Sequence, residues 1–443
     1  MKIWPVLLLA TLGCAGSESP PADTAVSYHQ DVAPLMSEHC VACHQEGGIG
    51  PMDLSTPEQA AQWSEAVALA VENRTMPPFY MTDDGSCQEW QQGRWLTDDE
   101  LQTFRAWADA GAPEGDPEQA ADLPGPVLPE LGDEDIYEVV TPTFTPVAVG
   151  GGLAKSDEYR CFELENPTGR DVFLTGYDVI PGNAAIMHHV IGHVVDMDGP
   201  SWSGGQTNRE RAEALSTDGR DGWPCFSGAG DGIRDSGAPI NWAPGQGAVP
   251  YPNDIGLRLG ANESLVVQMH YNLADPTTVG QSDQTTVRLR LEEESIRNAI
   301  FILPDEFLGT VFTSNPEVIP PGEEAWTYDQ VIRADDIVAS FGVDWALLGG
   351  SVELHAVLPH MHERGTSITM DVINGSDETC AAEVRRWDFN WQRMYFYEEP
   401  FEIVQGDELH ISCTWNTEGD TEPVLPGWGT RNEMCLMGMV LVP

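Results

Sequence analysis

Ser264-Leu-Val-Val-Gln-Met-His270 and Thr286-Val-Arg-Leu-Arg-Leu291 are short runs of strand-forming residues bounded by turn residues. Runs of the same kind recur from Ile136 onward: Asp171-Val-Phe-Leu-Thr-Gly-Tyr177, Val190-Ile-Gly-His-Val-Val195, Ser367-Ile-Thr-Met-Asp-Val-Ile373 and Glu408-Leu-His-Ile-Ser412. About 300 residues of such strands are more than one sandwich needs, so two all-β sandwich domains are predicted, residues 136–295 and 296–443. Upstream the pattern changes. Pro57 to Asn73 carries Ala61, Val67, Leu69 and Ala70 at helical spacing. Thr97-Asp-Asp-Glu100 is a capping box opening the run Leu101, Phe104, Trp107 and Ala108, which Gly111 stops. Residues 26–116 therefore read as a small all-α domain. The stretches 15–25 (Ser/Pro/Ala-rich) and 117–135 (Pro-rich and acidic) read as linkers.

The 443 residues hold 21 basic and 71 acidic side chains, a net charge of −50. Such a surface repels phosphate backbones and anionic lipid, which excludes nucleic acid as a partner. An apolar share of 41% builds ordinary cores. At the N-terminus Lys2 precedes the apolar run Trp4 to Leu12, too short to span a bilayer and suited to a signal peptide over residues 1–14. Leu12-Gly13-Cys14 resembles a bacterial lipobox, which would tie Cys14 to a lipid anchor. The other reading is plain secretion with cleavage near Ala15. Either way the protein is expected outside the cytoplasm, periplasmic or at the cell surface, with the membrane touched only through Cys14. Of nine cysteines, Cys14 and the Cys40/Cys43 pair have their own explanations. Cys87, Cys161, Cys225, Cys380, Cys413 and Cys435 remain as disulfide candidates in an exported chain.

Cys40-Val-Ala-Cys43-His44 has the C-x-x-C-H pattern of covalent c-type haem attachment, with His44 as the proximal iron ligand. Met76, in Arg74-Thr-Met76-Pro-Pro78, is the expected far ligand ahead of Met52 and Met81, because the prolines stiffen its loop. The segment from Tyr28-His-Gln-Asp-Val-Ala-Pro-Leu35 to Ala106-Trp-Ala-Asp-Ala-Gly-Ala-Pro-Glu-Gly115 resembles small class I cytochrome c domains.

His360-Met-His362 places two imidazoles on one face of a strand, where both grip one ion. His188-His189 are adjacent and converge only at a strand end or bulge. Either pair alone is more often structural. Their surroundings change the weighting. Pro181-Gly-Asn-Ala-Ala-Ile-Met-His188-His189-Val190 and Val267-Gln-Met-His270-Tyr271, followed by Leu358-Pro-His360-Met-His362 and Asn432-Glu-Met434-Cys435, resemble the copper type II, ascorbate-dependent monooxygenases. That family includes peptidylglycine α-hydroxylating monooxygenase and dopamine β-monooxygenase. Trp387-Asp-Phe-Asn-Trp391-Gln392 looks like its bacterial branch.

The resemblance implies two jelly-roll domains and two copper ions. His188, His189 and His270 would hold the electron-transfer copper; His360, His362 and Met434 would hold the copper that meets O₂. Imidazoles serve both copper oxidation states, and a thioether favours Cu(I). It implies a Cys161–Cys225 and a Cys413–Cys435 disulfide, the latter steadying Met434; Cys87 and Cys380 either pair with each other or stay free. Tyr159 and Gln268 fall near the first copper in the family. Leu358 and Gly438 stand where the peptide-amidating enzymes carry a carboxylate-gripping arginine and tyrosine, so peptidylglycine is not the expected substrate. His193 and His355 read as packed or hydrogen-bonded strand residues, and Trp387, Trp391, Tyr395 and Tyr397 as core aromatics. The favoured function is copper-dependent hydroxylation of a C–H bond of a small organic substrate with O₂. Electrons would come through the fused haem, fed by an ascorbate-like reductant or a cytochrome partner protein. The alternatives are an exported copper/haem electron-transfer protein without oxygenase activity, and β domains that bind carbohydrate or a partner.

Overall fold

The computed structural model describes residues 26–443 except 47–49, 92, 94, 125–128, 149–155, 227, 244–245, 253, 294–295, 305, 390 and 428–431. The signal and lipobox readings, including Cys14, lie outside the described residues.

The first β region comprises β1 (Ile136–Val140), β2 (Asp157–Glu165), β3 (Val172–Ile180), β4 (Met187–Asp196), β5 (Trp223–Pro224), β6 (Ile240–Trp242), β7 (Val249–Pro250), β8 (Ile255–Leu259), β9 (Glu263–Asn272) and β10 (Thr286–Glu292). One sheet runs β5-β2-β9-β4-β6 and packs on β1-β10-β3-β8. β10 buries every second residue, Val287, Leu289 and Leu291, as a strand with one face in a core must. The second region comprises β11 (Arg297–Ile302), β12 (Trp326–Arg333), β13 (Ser351–His360), β14 (Gly365–Asn374), β15 (Asp377–Val384), β16 (Tyr395–Val404), β17 (Glu408–Trp415) and β18 (Leu436–Val442). Here β12-β17-β14-β15 faces β11-β18-β13-β16 across a second core. These are the two sandwiches the strand runs predict. Their separation is incomplete, because β8 and β11 pair in parallel (Ile255 with Arg297, Leu257 with Ala299) and join one layer of each into a nine-stranded sheet.

The helical segment holds α1 (Ala33–His39), α2 (Pro57–Gln62), α3 (Ser64–Glu72) and α4 (Asp98–Asp109). Thr97 and Glu100 form the predicted capping box of α4. Val32, Met36, Phe104 and Trp107 build a small core. The prediction of a discrete all-α cytochrome c domain is corrected. Phe79, Tyr80, Met81 and Trp90, inside residues 26–116, are buried in the core of the second sandwich. Backbone hydrogen bonds from Thr82 to Glu383 and from Gln91 to Phe396 fasten this stretch to β15 and β16. Cys87–Cys380 closes the same contact covalently, settling the pair left open. The physical reason is burial: four large apolar side chains gain more against the sandwich than in a core of short helices. Cys161–Cys225 and Cys413–Cys435 are also formed.

Candidate metal centre

His188 and His189 are neighbours on β4, yet their ring nitrogens converge. The register slips between Met187, opposite Tyr271, and His189, opposite His270. His188 is the extra residue of this bulge, and a bulge re-aims a side chain that regular alternation would send to the far face. β9 supplies His270 from directly across the pair. Nδ1 of His189 lies 3.3 Å from Nδ1 of His188 and 3.3 Å from Nδ1 of His270. A metal bonded at about 2.0 Å to imidazoles in a tetrahedral arrangement separates its nitrogens by about 3.3 Å, so the set fits one ion. Burial pushes all three imidazoles below the ordinary histidine range, His189 and His270 well below it, with mutual repulsion adding to the effect at those two. The rings are therefore neutral, with lone pairs free for a metal. Asp157 Oδ1 sits 3.3 Å from Nε2 of His270, and the Tyr159 ring stacks on His270 at 4.0 Å. Gln268, on the same strand, donates to the carbonyls of Cys225 and Gly228 and so holds the loop beyond the disulfide.

β13 ends in His360, and His362 follows on the same side, their ring centroids 5.1 Å apart. His362 Nδ1 donates to the Asn432 carbonyl at 3.0 Å, and His360 Nδ1 faces Gln392 Oε1. Both rings thereby turn Nε2 away from these partners, the orientation that outer hydrogen bonds give metal-binding histidines. Burial and the neighbouring His362 bring His360 down to about 3. Met434, buried beside Cys413–Cys435, lines the same chamber. Sequence reasoning missed Glu433. Its Oε2 accepts from the backbone N–H of His362 (2.9 Å) and from Trp415 Nε1 (2.8 Å); Oε1 accepts from the Arg364 N–H (2.8 Å). It ties the end of the His-x-His turn to the residue preceding Met434. A single glutamate beside a motif carries no pattern that would have revealed this.

The chamber holds about 460 Å³ and is bounded by His189 on one side and His360, His362 and Met434 on the other. Phe389 lies between them, 5.5 Å from His188 and 5.9 Å from His362. Leu358 and Gly438 pair across β13 and β18, and a Cβ on Gly438 would meet Leu358 and Phe301 at 3.0 Å. The wall at the two departures is thus closed and apolar. His355 is buried with Nε2 donating to Glu353, as expected. His193 also lines the chamber, with no partner for Nε2 among the described residues. Trp387, Tyr395 and Tyr397 are core residues, as read.

Cys40, Cys43, His44 and Met76 line a separate apolar cavity of about 630 Å³, with Met52 and Trp391. His44 Nδ1 donates to the Met52 carbonyl, and burial together with Cys43 pushes the Cys40 thiol up to about 12. Met81 is not there but in the sandwich core.

Residues 307–441 match the family model for the C-terminal domain of copper type II ascorbate-dependent monooxygenases. The chain is 30% identical over 200 residues to dopamine beta-hydroxylase of Canis lupus familiaris, covering 44% of this chain and 30% of that protein. It is 26% identical over 293 residues to the Homo sapiens dopamine beta-hydroxylase (63% and 42%), and 21% over 267 to the tyramine beta-hydroxylase of Caenorhabditis briggsae (58% and 40%). The matches thus span less than half the length of these relatives. A likeness to the infectious bursal disease virus VP2 subviral particle, 9% identical over 71% of this chain and 74% of that one, has a TM-score of 0.15 and carries no argument. The second sandwich thus matches this family's C-terminal domain, and the first carries three histidines placed to hold one metal ion. Over residues 307–441 the chain is similar to the copper type II monooxygenases, and over 200 residues to a dopamine beta-hydroxylase.

Two expectations are corrected here. The matched family takes its electrons from ascorbate, so the covalent haem on Cys40, Cys43 and His44 with Met76 as far ligand is withdrawn. With it go electron supply through a fused cytochrome c and the copper/haem electron-transfer alternative. A small soluble reductant needs no resident relay. Second, the sequence predicts two copper ions, and one copper site is supported. Among the described residues one group of three histidines converges on a point, and only two imidazoles meet at His360 and His362.

Proposed function

We propose that this protein is a copper-dependent monooxygenase that hydroxylates a C–H bond of a small organic substrate with O₂, using ascorbate as the reductant. The observation that carries the reading is the convergence of neutral His188, His189 and His270 beside a largely apolar chamber. A copper ion held there supplies one-electron redox chemistry. The bulge in β4 and its pairing with β9 hold the three imidazoles in place. His360, His362 and Met434 are the catalytic wall against which the reacting carbon is presented, steadied by Asn432, Gln392 and Glu433. Leu358, Phe301 and Phe389 exclude water and favour an apolar body. Residues 136–295 and 296–443 act as the two jelly-roll halves, in the bacterial branch of the family. Three disulfides support an exported protein. No helix of the described residues is long and apolar enough to cross a membrane.

The test supplies the copper-loaded protein with ascorbate, ¹⁸O₂ and a metabolite extract. A product carrying one labelled oxygen is expected. Ascorbate consumption with label only in water or peroxide would refute the assignment.

A further inference from the structure

β4 alternates its faces, so His189, Ile191 and His193 share one face, and all three line the chamber. The first is a metal-site histidine. The last lies four residues further along, about 13 Å at strand rise. His193 is 6% exposed, and among the described residues neither ring nitrogen makes a well-aligned hydrogen bond. Its Nδ1 stands 3.3 Å from Asp235 Oδ2, an ion-pair distance off the ideal hydrogen-bond line. Asp235 is fixed in turn by the Gly237 N–H on Oδ1, and its carboxyl is held below the usual range with the His193 ring as partner, against the opposing effect of burial. A carboxylate facing Nδ1 draws the ring proton to that nitrogen. When the ring is neutral, Nε2 is then a buried acceptor that no donor among the described residues meets, a state that polar burial normally forbids.

The surroundings say what belongs there. The chamber wall includes Phe226, Ile191, Ala238 and Phe301, and among the described residues neither lysine nor arginine lines it. Among the described residues an anionic end has no counter-charge to meet, whereas a donor finds an acceptor backed by a carboxylate. We propose that His193, braced by Asp235, is a specificity-determining site that accepts a hydrogen bond from the polar end of an elongated, otherwise apolar substrate. The donor is a hydroxyl or an ammonium group, with the carbon to be oxidised at the other end, near His360 and His362. The proposal rests on the monooxygenase reading for the identity of the reacting end; the acceptor site itself does not.

The test uses the full chain, copper-free, at pH 8, with three probes: 1-octanol, octylamine and methyl octyl ether, the last having no donor. Calorimetry and ¹⁵N-histidine NMR read the binding. Octanol or octylamine should bind about tenfold or more tighter than the ether and shift the His193 nitrogens. Preference for the amine assigns an ammonium end; equal binding of amine and alcohol assigns a hydroxyl. In His193→Phe that preference should fall to about one. Asp235→Asn covers the case in which His193→Phe does not fold. Its amide donates to Nδ1 and moves the ring proton to Nε2, which then donates, so the alcohol and the ether, both acceptors, should bind alike and the ammonium should lose its advantage. The proposal is overturned if no probe binds, if the wild type does not discriminate, or if both variants keep the wild-type preference. Donor-selective binding by a protein that oxygenates nothing when copper-loaded would sink the oxygenase reading alone.

Discussion

Replacing Glu433 probes whether the His360–His362 turn is held by the carboxylate beneath it. Three N–H groups converge on this fully buried side chain, two on Oε2 and one on Oε1. Glu433→Gln keeps one oxygen, which still serves His362 and Trp415, but turns an NH₂ towards the Arg364 N–H. One bond is lost and two donors face each other, which costs about 1–3 kcal/mol. Burial pushes the Glu433 carboxyl up to about 7, so removing the charge relieves part of its desolvation and holds the loss near the lower end. Glu433→Ala strands all three donors and leaves a cavity, so about 3–6 kcal/mol is expected. Urea unfolding at pH 8 gives both values, and copper stoichiometry should be unchanged because His188, His189 and His270 lie across the chamber. If Ala loses less than about 1 kcal/mol, or Gln loses as much as Ala, the carboxylate is not what holds the turn.

Further outcomes follow from other contacts. His270→Ala should abolish the Cu(II) electron paramagnetic resonance signal at one equivalent of copper, whereas His360→Ala should keep it and lower turnover. Arg160 is wholly buried and is held by Asp218 and by the carbonyls of Arg220, Asp221 and Gly222. Asp218→Asn should therefore destabilise the fold by about 1–3 kcal/mol at pH 7. The Arg160 partnership lowers the Asp218 carboxyl, so its contribution is present above the unfolded carboxylate pKa and lost as pH falls through the folded one. Melting curves between pH 2 and 7 should show the variant's deficit shrinking in acid. Cys87→Ser with Cys380→Ser opens a link across 293 residues, for which chain entropy sets an upper loss of about 6 kcal/mol. Phe79 and Trp90 stay buried without it, so proteolytic cleavage within residues 117–135 should leave the helical segment bound on gel filtration. Its release would show that the disulfide alone held it.

The two sandwiches were legible because alternation along strands such as β10 is a local, repeated signal. The copper set was legible in its residues and conditional in its geometry: adjacent histidines converge only through a bulge, and nothing in Met187-His188-His189 announces one. Cys413–Cys435 followed from resemblance, while Cys87–Cys380 depended on where residues 77–95 dock, which is a matter of tertiary burial. That same docking explains why Phe79 to Trp90 read as part of a helical domain. The haem expectation rested on Cys40–His44, on Met76 and on the likeness of residues 28–115 to small cytochrome c domains, and none of these carries information about the family of the remaining chain. Glu433, Phe389 and the His193–Asp235 pair were illegible because each acquires meaning only from partners tens or hundreds of residues away.

The parallel β8–β11 pair has a consequence for traffic through the chamber. With one layer of each sandwich woven into the same hydrogen-bonded fabric, the gap between His189 and His360 is not set by two bodies free to swing apart. What can yield within it is a side chain such as Phe389, carried on the connection between β15 and β16 with its ring near histidines of both walls. Turning one aromatic ring takes far less rearrangement than parting a nine-stranded sheet.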